Sequence, residues 1–355
     1  MKYNFGAGPS ILPQEVFKQA AEAVLNFNNT GLSILEISHR APEFEAVVDE
    51  ILQIIKDLLN VPEGYSILLL QGGASLQFSM VPMNLLAEGQ TASYLDSGVW
   101  SSKAIKEAKL FGNVNVVASS KEANYTYVPK DYEVPADSAY FHVTSNNTIF
   151  GTELFDFPKT GVPIVSDMSS DIFSRVLNIA DFGLIYAGAQ KNMGPAGLTL
   201  VIVKDDLIGK SGRKLPSMLD YKIHADNKSL YNTPAVFSIY ASLLNLRWLK
   251  SKGGIEQIEK ENIAKSEALY AEIDRNPLFK GPCNVEDRSR MNVCFVMENP
   301  ELEKPFLKLA QERGMVGIKG HRSVGGFRAS IYNALPITAV HALVEVMQEF
   351  ADNNA

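Results

Sequence analysis

Between Tyr65 and Val203 short apolar runs alternate with helix-like stretches, and no other feature of the chain limits its fold as much. The runs are Tyr65-Ser66-Ile67-Leu68-Leu69-Leu70, Thr91-Ala92-Ser93-Tyr94-Leu95, Tyr140-Phe141-His142-Val143, Gly161-Val162-Pro163-Ile164-Val165, Asp181-Phe182-Gly183-Leu184-Ile185-Tyr186-Ala187-Gly188-Ala189 and Gly197-Leu198-Thr199-Leu200-Val201-Ile202-Val203. Runs this short and this apolar read as buried strands. Strand–helix units repeated along a chain pack as a mainly parallel sheet with helices on both faces.

Helices flank this region. Pro13 to Phe27 reads as a helix with proline near its first turn. Pro42 to Leu59 carries a helical stripe of Phe44, Val47, Val48, Ile51, Ile55, Leu58 and Leu59 after a glutamate-rich start. A loop from Ser229 leads into an apolar helix, Val236 to Leu249, which Lys252-Gly253-Gly254 ends. A second long helix, Gly254 to Ile273, turns a polar face to solvent and is placed to link two domains. Beyond Pro277 come a strand-like Met291–Met297, a helix from Pro305 to Arg313, a Gly-rich stretch and a helix from Ile337 to Phe350, together a compact α+β unit. With 355 residues, 46% of them hydrophobic, the chain suits one large or two medium domains.

Several function classes are disfavoured. No apolar run is long enough to span a bilayer, and the start lacks the apolar region of a signal peptide. Cys283 and Cys294 suggest neither a disulfide framework nor a zinc site, so a reducing cytoplasm is expected. The net charge is −7 and the basic residues are scattered, which argues against nucleic-acid binding.

The chemistry centres on Gln190-Lys191-Asn192, at a tight corner between two strand-like runs. A lysine there is either a solvated turn residue or a dehydrated amine, able to attack an aldehyde. Asp167 ends the run Ile164-Val165-Ser166, at the strand edge where open α/β sheets bind ligands, or else caps a helix. An aspartate about two dozen residues before a lysine, both at strand ends of one sheet, suits pyridoxal phosphate. The lysine carries the Schiff base, and the carboxylate keeps the pyridine nitrogen protonated. Gln71-Gly72-Gly73-Ala74-Ser75 reads as strand, glycine turn and helix start, a cup for a phosphate or simply a connection. Trp100 stands where a helix begins, to stack on a flat heterocycle or to pack in the core.

Two His-Arg pairs, His39-Arg40 and His321-Arg322, and a strand-like Arg328 form a basic set suited to carboxylate and phosphate. His39-Arg40 directly precedes the helix beginning at Pro42, whose N-terminus favours anions. His142 reads as a satisfied core histidine. His224 and His341 read as loop and helix-surface residues.

In order and content the chain resembles the phosphoserine aminotransferase family, class-V pyridoxal-phosphate enzymes of fold-type I. The resemblance rests on Asn4-Phe5-Gly6-Ala7-Gly8-Pro9, Ile37-Ser38-His39-Arg40, Gln71-Gly72-Gly73-Ala74-Ser75, Ser145-Asn146-Asn147-Thr148-Ile149, Asp167-Met168-Ser169-Ser170, Gln190-Lys191-Asn192, Asn232-Thr233-Pro234, Gly320-His321-Arg322-Ser323-Val324-Gly325-Gly326 and Phe327-Arg328-Ala329-Ser330-Ile331-Tyr332-Asn333. It implies an α/β large domain with a mainly parallel seven-stranded sheet, residues 15–255. A smaller α+β domain would be formed by 1–14 with 256–355. It further implies that Lys191 and Asp167 are catalytic and that Thr148 bonds the phenolic oxygen of pyridoxal 5′-phosphate. Trp100 would stack on the ring, and Ala74, Ser75 and Gln190 would hold the phosphate. Asn232 and Thr233 would reach it from the other subunit of a homodimer. Arg328 would take the α-carboxylate, with His39, Arg40, His321 and Arg322 round the distal anion.

The implied reaction moves an amino group between glutamate and 3-phosphohydroxypyruvate, giving phosphoserine and 2-oxoglutarate for serine biosynthesis. A phosphorylated hydroxythreonine precursor of pyridoxine is a second implied substrate. The chain departs from some family members at Ser75, where they carry arginine. A cysteine desulfurase would need a mobile cysteine, and a small-acid transaminase would not need two His-Arg pairs. A non-enzymatic nucleotide-binding module would explain Gly72-Gly73 but not Lys191 with Asp167.

Overall fold

The computed structural model describes residues 2–354. Strand β1 (Tyr3–Asn4) is followed by α1 (Gln14–Leu25) and α2 (Pro42–Leu59). The expected bounds of α2 hold because both ends are locally specified. Pro42 occupies the first helical position, and Asn60 ends the helix at φ 49. Pro13 stands next to the first turn of α1 as expected, as its N-cap, and the helix stops two residues before the expected Phe27. Asn26, extended at φ −160 and ψ 94, leaves the helical path there.

The alternating region forms β2 (Tyr65–Leu70), α3 (Gly73–Leu85), β3 (Thr91–Asp96), α4 (Val99–Ala108), β4 (Asn113–Ser119), β5 (Phe141–Thr144), β6 (Ile164–Asp167), β7 (Leu184–Gly188) and β8 (Thr199–Lys204). Seven of these strands make one sheet in the order β2-β8-β7-β6-β5-β3-β4. Strand β8 runs antiparallel to both neighbours, and the other pairings are parallel. The tight corner at Lys191 causes this reversal. A short connection joins only antiparallel neighbours, whereas a parallel pair needs a long crossover.

Helices α5 (Tyr221–Asp226), α6 (Val236–Ser251) and α7 (Gly254–Arg275) follow. Then come β9 (Phe279–Lys280), β10 (Asn292–Met297), α8 (Glu303–Glu312), β11 (Met315–Val316), β12 (Phe327–Ser330) and α9 (Ile337–Asn354). Strand β10 lies between β12 and β9, and β1 pairs in parallel with β11. Apolar side chains cover both faces of the large sheet in two clusters, one with α2 and α6, the other with α3 and α4. A third cluster joins Phe5 to residues between Leu269 and Phe350. Helix α7 enters the first cluster through Ile255 and Ile258, and the third through Leu269 and Ile273.

His224 departs from expectation. It is buried in α5, with Nε2 against the Met218 carbonyl at 3.0 Å, and so is not a loop histidine. His341 is exposed on α9 as expected. No helix among the described residues is long and apolar enough to cross a membrane.

Candidate active site

Strand direction brings the chemistry to one edge of the large sheet. Asp167 is the last residue of β6, and Lys191 lies in the turn between β7 and β8. The Asp167 carboxylate is almost wholly buried and accepts hydrogen bonds from Ser169 N at 3.0 Å and Ser169 Oγ at 2.6 Å. Burial pushes its pKa above the ordinary carboxylate value, against the pull of Ser169 and the Lys191 charge. Lys191 Nζ donates to Thr148 Oγ1 at 2.7 Å. Burial brings this amine down to about 8; Asp167 opposes the shift and the Arg328 charge adds to it. The amine is therefore far closer to its nucleophilic form at neutral pH than a surface lysine.

A cavity of about 290 Å³ opens between these groups. Ala74, Ser75, Trp100, Thr148, Asp167, Gln190 and Lys191, seven of the expected site residues, all line it. Gly72, at φ 88, turns the chain sharply from β2 into α3. A Cβ there would meet Leu76 Cδ2 at 2.5 Å. The first amides of α3 have no intrahelical acceptor, which makes this end of the cavity an anion seat. Trp100 projects from the first turn of α4, and its Nε1 is buried without a partner. Thr144 Oγ1 and Arg328 Nε are likewise unpaired. A flat, anionic, hydrogen-bonding group such as pyridoxal phosphate fits this set. It offers an acid for the ring nitrogen, a hydroxyl for the phenolic oxygen, an aromatic face, a phosphate seat and a low-pKa amine.

Arg328, on β12, donates from Nη1 to the Thr148 carbonyl at 2.9 Å, so one residue ties it to the lysine. His321 is half-buried and Arg322 exposed, in the loop before β12. Burial, then the charges of Arg328, Arg322 and Lys103, lowers the His321 pKa. Other expected residues lie elsewhere. Arg40 donates from Nε to His39 Nε2 at 3.3 Å and lines a surface hollow with Glu45, Asp49, Lys228 and Tyr231. Asn232 lines a small cavity beside Gly72 and Leu76, not the one around Lys191. The Thr233 carbonyl accepts from Gln71 Nε2 at 3.1 Å and Asn232 Nδ2 at 3.0 Å. Thr233 does not cap the helix that follows it, since Ala235 is the N-cap of α6 and no side chain bonds there.

Two contributors escaped the sequence reading. Ser169 grips Asp167 from the quoted Asp167-Met168-Ser169-Ser170 stretch. Lys103 Nζ stands 4.5 Å from the Trp100 ring centroid, one helical turn on. His142 lies in the core as expected but is only half satisfied, since its Nδ1 is buried without a partner. It stacks on Tyr94, meets Tyr186 Oη at 2.9 Å and is driven down to about 3 by burial. Cys283 and Cys294 are both buried free thiols.

The chain matches the aminotransferase class-V family over residues 2–343. It is 62% identical over 348 residues to the phosphoserine aminotransferase of Flavobacterium johnsoniae, covering 98% of each chain. The solved phosphoserine aminotransferase of Bacillus circulans subsp. alkalophilus superposes with a TM-score of 0.98 at 48% identity, covering 100% of this chain and 99% of that one. The pyridoxal-phosphate-bound phosphoserine aminotransferase of Trichomonas vaginalis superposes at 0.93 with 38% identity, covering 98% of this chain and 100% of that one. With a lysine, an aspartate and a phosphate seat round one cavity and likeness along its whole length, the chain belongs to the class-V aminotransferases and, within them, to the phosphoserine aminotransferases, which are pyridoxal-phosphate-dependent transaminases.

Proposed function

We propose that this chain transfers the amino group of glutamate to 3-phosphohydroxypyruvate, yielding phosphoserine and 2-oxoglutarate in serine biosynthesis. The observation that carries this reading is the convergence of Lys191, Thr148 and Asp167 on one cavity, with Arg328 bonded to the Thr148 carbonyl. Bound pyridoxal phosphate supplies an aldehyde for the amine and a ring that accepts electrons. Lys191 is the covalent anchor and then carries a proton to and from the substrate α-carbon. Asp167 holds a proton at the pyridine nitrogen. Thr148 would bond the phenolic oxygen, and its carbonyl accepts from Arg328. Trp100 would cover one face of the ring, while Ala74, Ser75 and Gln190, which line the same cavity, would hold the phosphate.

Arg328 takes the substrate α-carboxylate, and His321 and Arg322 face the distal anion. Asn232, Thr233, His39 and Arg40 serve the site of a second copy in a homodimer. Arg40 and Asn232 line hollows other than the Lys191 cavity, which leaves them free to serve a second copy. The division into 15–255 and 1–14 with 256–355 belongs to the same reading, supported by Phe5 packing with Leu269–Phe350. Two free buried thiols fit a reducing cytoplasm.

The test is a comparison of 3-phosphohydroxypyruvate with glyoxylate as acceptor from glutamate. Preference for glyoxylate would refute the substrate assignment. Sedimentation of a fully active monomer would refute the shared site.

A further inference from the structure

Residues 3–10 do not enter the sheet that carries Lys191. Their first half is tied to the strand of Arg328. Ser330 N donates to the Phe5 carbonyl at 3.1 Å, and Tyr332 Oη donates to the Ala7 carbonyl at 2.9 Å. These partners follow Arg328 by two and four residues. The second half lies on the lysine turn. Ser10 N donates to the Gln190 carbonyl at 3.0 Å, and Ser10 Oγ donates to the Lys191 carbonyl at 2.6 Å. Among the described residues no other group bonds either carbonyl. Gly8, at φ +138, lies close over the lysine stem; a Cβ there would sit 3.5 Å from Lys191 Cγ. Residues 3–10 are thus a strap between the strand of the arginine and the turn of the lysine.

We propose that Ser10 is a positioning residue for Lys191: by binding two successive carbonyls of the lysine turn, it keeps the amine on Thr148 and in fixed register with Arg328. This rests on the reading that Lys191 is the covalent anchor. The amine is faced by Asp167 and Asp171, near the end of β6, and by Arg328 of β12. Loosening the strap lets the turn lift and water reach the amine. The lysine then regains part of its hydration and its pKa rises from about 8 toward the ordinary value of 10.5.

The decisive variants are Ser10→Ala, which deletes one oxygen at a half-buried position, and Ser10→Thr, which keeps the hydroxyl. The first readout is the rate at which the full chain, stripped of cofactor, captures pyridoxal phosphate, followed by absorbance across pH. Ser10→Ala should slow capture at pH 7 by about fivefold, the worth of one neutral hydrogen bond, and match the unaltered protein above the lysine's ordinary pKa. Ser10→Thr should follow the unaltered protein throughout. The second readout is phosphoserine turnover, with kcat lowered about fivefold and KM within a factor of two in Ser10→Ala alone. Equal capture profiles for Ser10→Ala and the unaltered protein would overturn the proposal. So would a loss that is uniform across pH, or one shared by Ser10→Thr. Capture needs no amino-acid substrate, so an inactive but normally capturing unaltered protein would count against the proposed reaction and not against Ser10.

Discussion

Asp167→Asn should push two measurable rates in opposite directions. The substitution keeps the shape of the side chain and one acceptor for Ser169, but removes the negative charge. In the catalytic cycle the pyridine nitrogen loses a charged partner in a dry site. A charge-assisted hydrogen bond is worth about 1.5–3 kcal/mol, or roughly 10- to 150-fold in turnover. In the cofactor-free protein the same charge holds up the Lys191 pKa, which burial and Arg328 bring down to about 8. Without it the pKa falls further, by about one unit for a close opposite charge. At pH 7 the free-amine fraction then rises from roughly a tenth to roughly a half. Cofactor capture at pH 7 should therefore quicken about fivefold while phosphoserine turnover collapses. Stopped-flow absorbance gives the first rate, and a coupled glutamate assay the second. Capture that slows together with turnover would refute the electrostatic reading and leave Asp167 as a structural residue for Ser169.

Lys191→Ala should abolish transamination, since loss of a general acid–base alone costs about 10²- to 10⁴-fold; residual activity above roughly a percent of the unaltered rate would assign the anchor elsewhere. Arg40→Ala should impair phosphoserine more than alanine as a slow donor, by about 1.5–3 kcal/mol, because alanine has no distal anion; an equal proportional loss for both would contradict the assignment. Lys265 is buried and donates to the carbonyls of Ile331 at 2.9 Å and Tyr332 at 2.8 Å, and burial lowers its pKa to about 7. The unfolded lysine keeps its proton up to about 10.5, so the unfolded state binds more protons between the two values and stability rises with pH across that window. Lys265→Met should flatten that rise in urea titrations at pH 7 and 9.5, and an unchanged slope would show that the lysine does not titrate as described.

Much of the architecture was legible because its signals are local. Pro42 and the left-handed Asn60 bound α2 through backbone dihedrals that neighbours a few residues away specify. Short apolar runs in the region 65–203 became strands of one sheet, since buried strands need apolar side chains on both faces. Asp167 and Lys191 arrived at one edge because parallel strands bring their C-terminal ends together. Where local and long-range effects compete, the local reading failed. His224 has the composition of a loop residue, yet the packing of α5 against β2 buries it.

Element types, the edge of the sheet that carries the chemistry and the residue kinds gathered there are legible within short windows, since each follows from periodicity, turn residues and side-chain chemistry. Long-range packing is what sets Thr148 on Lys191 and Arg328, Lys103 over Trp100, and Ser10 on the lysine turn across 181 residues of chain. It also places Arg40 and Asn232 in hollows other than the Lys191 cavity. Contacts between residues distant in sequence are set by how whole elements bury their apolar faces against one another, and no short window of sequence contains that geometry.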